Sequence, residues 1–172
     1  MNCKPLLAIA LVAPALALAQ GKPSDPQIAH IVVTANQIDI DAGKLAKSLT
    51  KNKEVQAFAQ QMITDHSAVN KQAGGLAKKL GVKPESNDTS KALKKDAEDN
   101  MANLKKLKGG QFDKAYIDHE VAYHQQVLDA IDKVLVPSAQ NQELKDLIVK
   151  VRPAFVAHLE HAKHVQVDLG KK

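Results

Sequence analysis

The segment VQAFAQQMITDHSAVNKQAGGLAKKL, residues 55–80, decides the fold. Its apolar side chains fall at Val55, Phe58, Ala59, Met62, Val69, Ala73, Leu76 and Leu80. That three- and four-residue alternation belongs to a helix with one buried face. One position of the stripe is polar, and it is His66. Asn52 stands ready to cap the start, and Gly81 ends the pattern. Gly74-Gly75 costs roughly 1 kcal/mol per glycine against alanine, which close packing of another backbone would justify.

Three more stripes lie outward from this one. Asp25-Pro26 reads as a helix start, with a capping carboxylate and proline at the first helical position. The stripe that follows is Ile28, Val32, Ala35, Ala42, Ala46 and Leu49, with Asp39 in its gap. A third stripe is Ile117, Val121, Leu128, Ile131 and Leu135, interrupted by His124 and closed by a turn at Val136-Pro137-Ser138. The last is Leu144, Leu147, Val151, Phe155, Ala162, Val165 and Leu169, interrupted by His158. Pro153 lies inside it and should kink the helix by crowding the Val149 carbonyl.

Residues 82–110 differ in character. Positions 84–90 are loop and cap residues, positions 92–107 form a polar, weakly amphipathic helix, and Gly109-Gly110 ends it. The long helices are therefore expected over 26–51, 53–80, 111–135 and 141–169. Two hairpins joined by one long crossover make an all-α, ferritin-like four-helix bundle with a short extra helix in the crossover. Residues 20–172 are expected to form this single domain.

Composition agrees. Of 172 residues, 44% are hydrophobic but only 3% aromatic, so the core is built from aliphatic side chains that favour helices. The single Cys excludes a disulfide framework, a zinc finger and thiolate-held clusters. Lys4, the apolar run at 6–18 and Ala17-Leu18-Ala19 read as a cleavable signal peptide over 1–19. Cys3 precedes the apolar run, so it is not a lipoprotein attachment site, and it leaves with the leader. The chain is thus expected to be exported, to the periplasm first of all, with outer-membrane association as a variant. No transmembrane segment is expected in the mature chain. The net charge of +5 is mild, and the crossover lysines are interrupted by acids without aromatic platforms, which argues against nucleic-acid binding. Weak attraction to anionic envelope lipid is the most that this charge implies.

Asp39, His66, His124 and His158 each fall within about 3 residues, roughly 5 Å of rise, of their helix midpoints. In a bundle, midpoints share a layer whichever way each helix runs. Three imidazoles and a carboxylate are therefore expected in mid-core, where isolated polar groups are costly and must pair or coordinate. That donor set suits Zn, Cu, Fe, Ni or Mn. Glu120, one turn before His124, is a further ligand or a support for it. Asp65, Asp113, Asp118 and Glu160 are candidates to orient the imidazoles. His119 with Tyr116, Tyr123 and Glu120 suggests a second polar belt, while His161 and His164 read as surface residues. A hydrogen-bonded network without metal would satisfy the same four groups.

Several segments together resemble a known family: Asp39-x-Asp41-Ala-Gly43-Lys-Leu-Ala46, Val55-x-x-Phe58-Ala59-x-x-Met62-Ile63-x-Asp65-His66, Phe112-Asp113-x-x-Tyr116 with His124, and Pro153 with His158-Leu159. It is the exported, ferritin-like family catalogued as domain of unknown function 4142. The resemblance covers about residues 27–168. It implies a ferritin-like bundle in the periplasm or envelope, carries no established activity, and places the family's recurrent polar positions on Asp39, Asp65, His66, Asp113, Tyr116, His124 and His158. The family usually has Glu where this chain has Asp39 and Asp41. The Glu-x-x-His pairs of di-iron ferritins are absent, because Ile63, Val121 and Phe155 stand three residues before the three histidines.

Two functions follow. One is a metal-binding or metal-handling exported protein using the mid-bundle layer. The other is a structural or interaction protein of the envelope whose polar core fixes helix pairing. Nothing in the sequence specifies the open coordination position and substrate route of an enzyme, so no catalytic residue is assigned. Covalent haem attachment is excluded by the lack of Cys-x-x-Cys-His.

Overall fold

The computed structural model describes residues 21–171. The expected signal peptide, residues 1–19, lies outside the described residues. The elements are α1 (Asp25–Leu49), α2 (Lys53–Lys79), α3 (Asp88–Leu104), α4 (Gly109–Ala130), a π-helical turn (Ile131–Leu135), α5 (Val136–Ser138) and α6 (Gln142–Gly170). No strand occurs among the described residues. Helix α1 packs along α2 and α4 along α6, and the crossover helix α3 lies against α1. This is the expected all-α four-helix bundle with an extra crossover helix.

Local chemistry explains most boundaries. The Asn52 side chain accepts from the backbone N–H groups of Glu54 and Val55 and starts α2. Asn87 and Ser90 cap α3 reciprocally, and Asn141 accepts from Leu144 N–H to start α6. Helix α6 continues through Pro153 from Gln142 to Gly170.

Several expectations need correction. Ser24, not Asp25, is the cap of α1. The Asp25 carboxylate instead accepts from the backbone N–H groups of Gln140 and Asn141, at 2.9 and 2.8 Å, and ties the start of α1 to the start of α6. Helix α3 begins earlier than expected and ends before the glycine pair. Gly109-Gly110 opens α4, with Gly109 at φ +54°, a backbone conformation that side chains disfavour. Val136-Pro137-Ser138 is helical, and the chain turns afterwards at residues 139–141. Proline is tolerated there because it occupies the first turn of the new segment. Nothing approaches the Gly74 and Gly75 Cα atoms within the reach of a Cβ. The close backbone approach occurs at Gly43, where a Cβ would sit 2.9 Å from the Ala59 carbonyl oxygen.

The core has two main parts. Phe58, Met62, Leu104, Phe112, Tyr116 and Ile117 form one cluster, and Ile28, Ile31, Ile131, Leu135 and Ile148 form the other. Buried polar residues lie between them.

Candidate metal centre

Each of the four long helices brings one of the predicted residues to the same buried layer: Asp39 from α1, His66 from α2, His124 from α4 and His158 from α6. Glu120, one turn before His124, joins them and is wholly buried. One ring nitrogen of each histidine lies within 4.8 Å of one on each of the other two. Asp39, Glu120 and His124 form a second triplet with the same closeness, so His124 belongs to both.

Every imidazole is anchored through one nitrogen. His66 Nδ1 lies 2.7 Å from the Asn36 side-chain oxygen. The Asn36 amide nitrogen donates to the Val32 carbonyl, so its oxygen must face the histidine and His66 Nδ1 must be the donor. His124 Nδ1 donates to the Glu120 backbone carbonyl at 3.0 Å. His158 Nε2 donates to the Asp65 carboxylate at 2.9 Å. With those nitrogens protonated, neutral rings keep lone pairs on His66 Nε2, His124 Nε2 and His158 Nδ1. All three atoms are buried and lack a hydrogen-bond partner, as do Asp39 Oδ2 and both Glu120 carboxylate oxygens. His66 Nε2 stands 3.4 Å from Asp39 Oδ2.

Burial controls the protonation states. It lowers the His66 pKa to about 2, reinforced by His124 and His158, and the His124 pKa to about 4. His158 is also lowered by burial, which outweighs the opposing pull of Asp65. The carboxyls move the other way. Burial, then the charge of Glu120, raises Asp39 well above its ordinary value, and burial raises Glu120 to about 8. Near pH 7 the layer therefore holds three neutral imidazoles beside a carboxyl pair that retains a proton. A cation among these groups would favour the deprotonated carboxylates and the free imidazole lone pairs.

Phe155 packs its ring against His66, with centroids 5.1 Å apart, and walls off one side of the layer. On another side the Tyr116 and Tyr123 hydroxyls are buried near the carboxyl pair. Burial first, then the charges of Asp39 and Glu120, keeps both phenols protonated far above their usual range. The Tyr123 hydroxyl donates to the Ala35 carbonyl. Of the expected second belt, His119 stacks on Tyr123, whereas the Tyr116 ring packs against Phe58 and Phe112.

The outer candidates divide. Asp65 holds His158, and its side chain is 40% exposed, so the layer reaches solvent at this point. Asp113 is buried, but its Oδ1 has no partner and it bonds no imidazole. It lies two turns from Glu120, about 10 Å along α4, too far to orient the histidines. Asp118 pairs with Lys114 and Gln166, and Glu160 with Lys163, both facing away. Glu120 supports His124 through its backbone, with its carboxylate 3.5 Å away. His164 is exposed and pairs with Asp168, whereas His161 is half-buried, against Phe58 and hydrogen-bonded to Gln61. Asn36 was missed from sequence. Its signal was a polar residue flanking the α1 stripe one turn before Asp39.

A family model described as a domain of unknown function (DUF4142) matches residues 10–165. The chain belongs to this family. No curated protein matches it in sequence. Among solved structures it is similar to "CopM in the Cu(II)-bound form", with a TM-score of 0.67 and 14% identity over 86% of this chain and 99% of that one. At that identity the likeness speaks for a shared helical fold. Among the described residues no helix of this family member is long and apolar enough to cross a membrane.

Proposed function

We propose that the protein is an exported, non-catalytic metal-binding protein that holds one transition-metal ion at mid-bundle. His66, His124 and His158 supply the nitrogen ligands, and Asp39 and Glu120 supply carboxylate charge, with Asp39 beside His66 as the nearer ligand. The observation that carries this reading is the anchoring pattern. Each imidazole gives its N–H to an outer acceptor, and the lone-pair nitrogens are left buried without partners. A polar core built only to pair helices would be expected to satisfy its own donors and acceptors.

Borderline metals with imidazole and carboxylate ligands fit best, copper and zinc above all. The similar structure was solved with Cu(II), which makes copper the first ion to test. Metal–nitrogen bonds of about 2.0–2.1 Å fit donor atoms gathered this closely, and the 3.4 Å between His66 Nε2 and Asp39 Oδ2 is a spacing that two ligands of one ion can take. Residues 1–19 serve as a signal peptide cleaved before Gln20. Residues 20–172 act as one domain in the periplasm, and its mild positive charge draws it weakly to the anionic envelope surface.

The test is metal analysis of untagged protein purified without chelator, followed by copper and zinc titration. One ion per chain is expected, with loss of binding in the variant His66→Ala/His124→Ala. Absence of a stoichiometric ion, or unchanged binding in that variant, would leave the envelope-structural role in its place.

A further inference from the structure

The half of the bundle beyond the imidazoles holds a partly open cavity of about 580 Å³ between α1, α2, α4 with its π turn, and α6. Its walls are aliphatic, formed among others by Ile31, Ala73, Leu76, Val127, Leu147 and Val151. Two polar side chains reach its deep end, Asn36 and Tyr123, and both are engaged. The Asn36 amide is spent on Val32 and His66, and the Tyr123 hydroxyl on Ala35. The deep end thus offers an occupant little beyond hydrocarbon contact, and water holds poorly against such walls. Polar residues gather instead at the mouth, where Asn87, Asp88, Thr89 and Lys91 stand near Gly21 and Pro23.

We infer that this cavity binds the hydrocarbon part of a single-chain amphiphile, with the polar end at the mouth. The volume lies in the range of small-molecule sites. The axis from Asn36 to Asp25 along α1 is about 16 Å, the length of a chain of roughly twelve carbons. Two features hold the space open. The π turn widens the backbone where Ile131, Val134 and Leu135 face the cavity, and Arg152 pins that turn through a bidentate pair with Asp132 at 2.7 Å. The segment between α2 and α3 is tied over the end of the bundle by Glu85 N–H donating to the Pro26 carbonyl. The site is separate from the proposed metal ligands, since Asn36 and Phe155 form the wall between them.

The test titrates chelator-treated protein with the neutral fluorophore N-phenyl-1-naphthylamine, so that the result does not depend on metal binding. Saturable, blue-shifted emission at one probe per chain is expected, displaced by dodecanol and not by butanol at equal concentration. Ala130→Trp and Ala77→Trp, which fill the cavity from α4 and α2, should each weaken binding at least tenfold with helix content retained. The inference is overturned by absence of saturable binding, by equal displacement with both alcohols, or by folded tryptophan variants that bind as the parent does.

Discussion

Asn36 and His66 are coupled by a directional hydrogen bond. The Asn36 oxygen lies 2.7 Å from His66 Nδ1 because the same amide gives its N–H to the Val32 carbonyl one turn back on α1. The helix backbone thereby sets the amide, the amide sets the imidazole tautomer, and the tautomer leaves Nε2 as a lone pair in the core. A residue outside the candidate ligand set decides what one candidate ligand can do.

Replacing Asn36 with Ala should therefore lower metal affinity about 10- to 100-fold, the usual scale for a partner that orients a ligand. The metal-free protein should also lose about 1–3 kcal/mol, since His66 Nδ1 would be buried without an acceptor. Competition against a chromophoric chelator and denaturant unfolding measure the two effects separately. Retained affinity in a folded variant would remove Asn36 from this role.

Asp65 acts on His158 in the same sense but from a half-exposed position. Asp65→Asn keeps an acceptor oxygen and should weaken metal binding only several-fold. Asp65→Ala should weaken it by about 10-fold or more. Isothermal titration of the two variants ranks them, and an equal loss in both would show that Asp65 matters by charge alone.

Metal-free protein should be most stable near pH 6.5. Glu120, raised from 4.5 to about 8, keeps a proton in the folded state that the unfolded chain has lost, so its contribution falls as pH rises between those values. His66, His119 and His124 are lowered from 6.5 to about 2, 4 and 4, so the unfolded chain takes up protons that the folded one lacks. Their effect is a loss of stability as pH falls below 6.5. The imidazoles outnumber Glu120 where the windows overlap, and above 6.5 the carboxyl pair acts without them. Bound metal should cancel the upper limb, because coordination takes the place of the carboxyl proton. Thermal melts from pH 5 to 8.5, with and without chelator, read both limbs. Stability of the metal-free protein that climbs steadily to pH 8 would contradict the protonated pair.

Gly43→Ala should destabilise by about 1–3 kcal/mol, because its Cβ would meet the backbone oxygen of Ala59, which cannot rotate away. Gly74→Ala and Gly75→Ala, with no neighbour in reach, should instead stabilise by about 0.5–1 kcal/mol. Urea unfolding of the three variants distinguishes packing from helix propensity as the reason for each glycine.

The histidines could be found from the sequence because each replaces an apolar residue in a 3.6-residue stripe near the middle of a helix. That reading needs only local spacing. The same spacing misled at Gly109-Gly110, where glycine chemistry suits either the end of one helix or the start of the next. It also misled at Asp25, whose carboxylate bonds backbone groups 115 and 116 residues away in place of its own helix end. Asp113, Asp118 and Glu160 were plausible supports by type and proximity in sequence. Their side chains turn elsewhere because the rotation of each helix places them toward lysines or into other parts of the core.

The sequence by itself determined four amphipathic helices, their connectivity and a shared polar layer, since these follow from periodicity, caps and helix length. Tertiary structure alone decided which nitrogen of each imidazole is anchored, that Asp39 and Glu120 form a pair, and that a cavity opens behind Phe155. Those features depend on contacts such as Asn36 with His66, 30 residues apart, and Asp65 with His158, 93 apart. Such contacts arise from the axial rotation and spacing of packed helices, which no single helix's pattern contains.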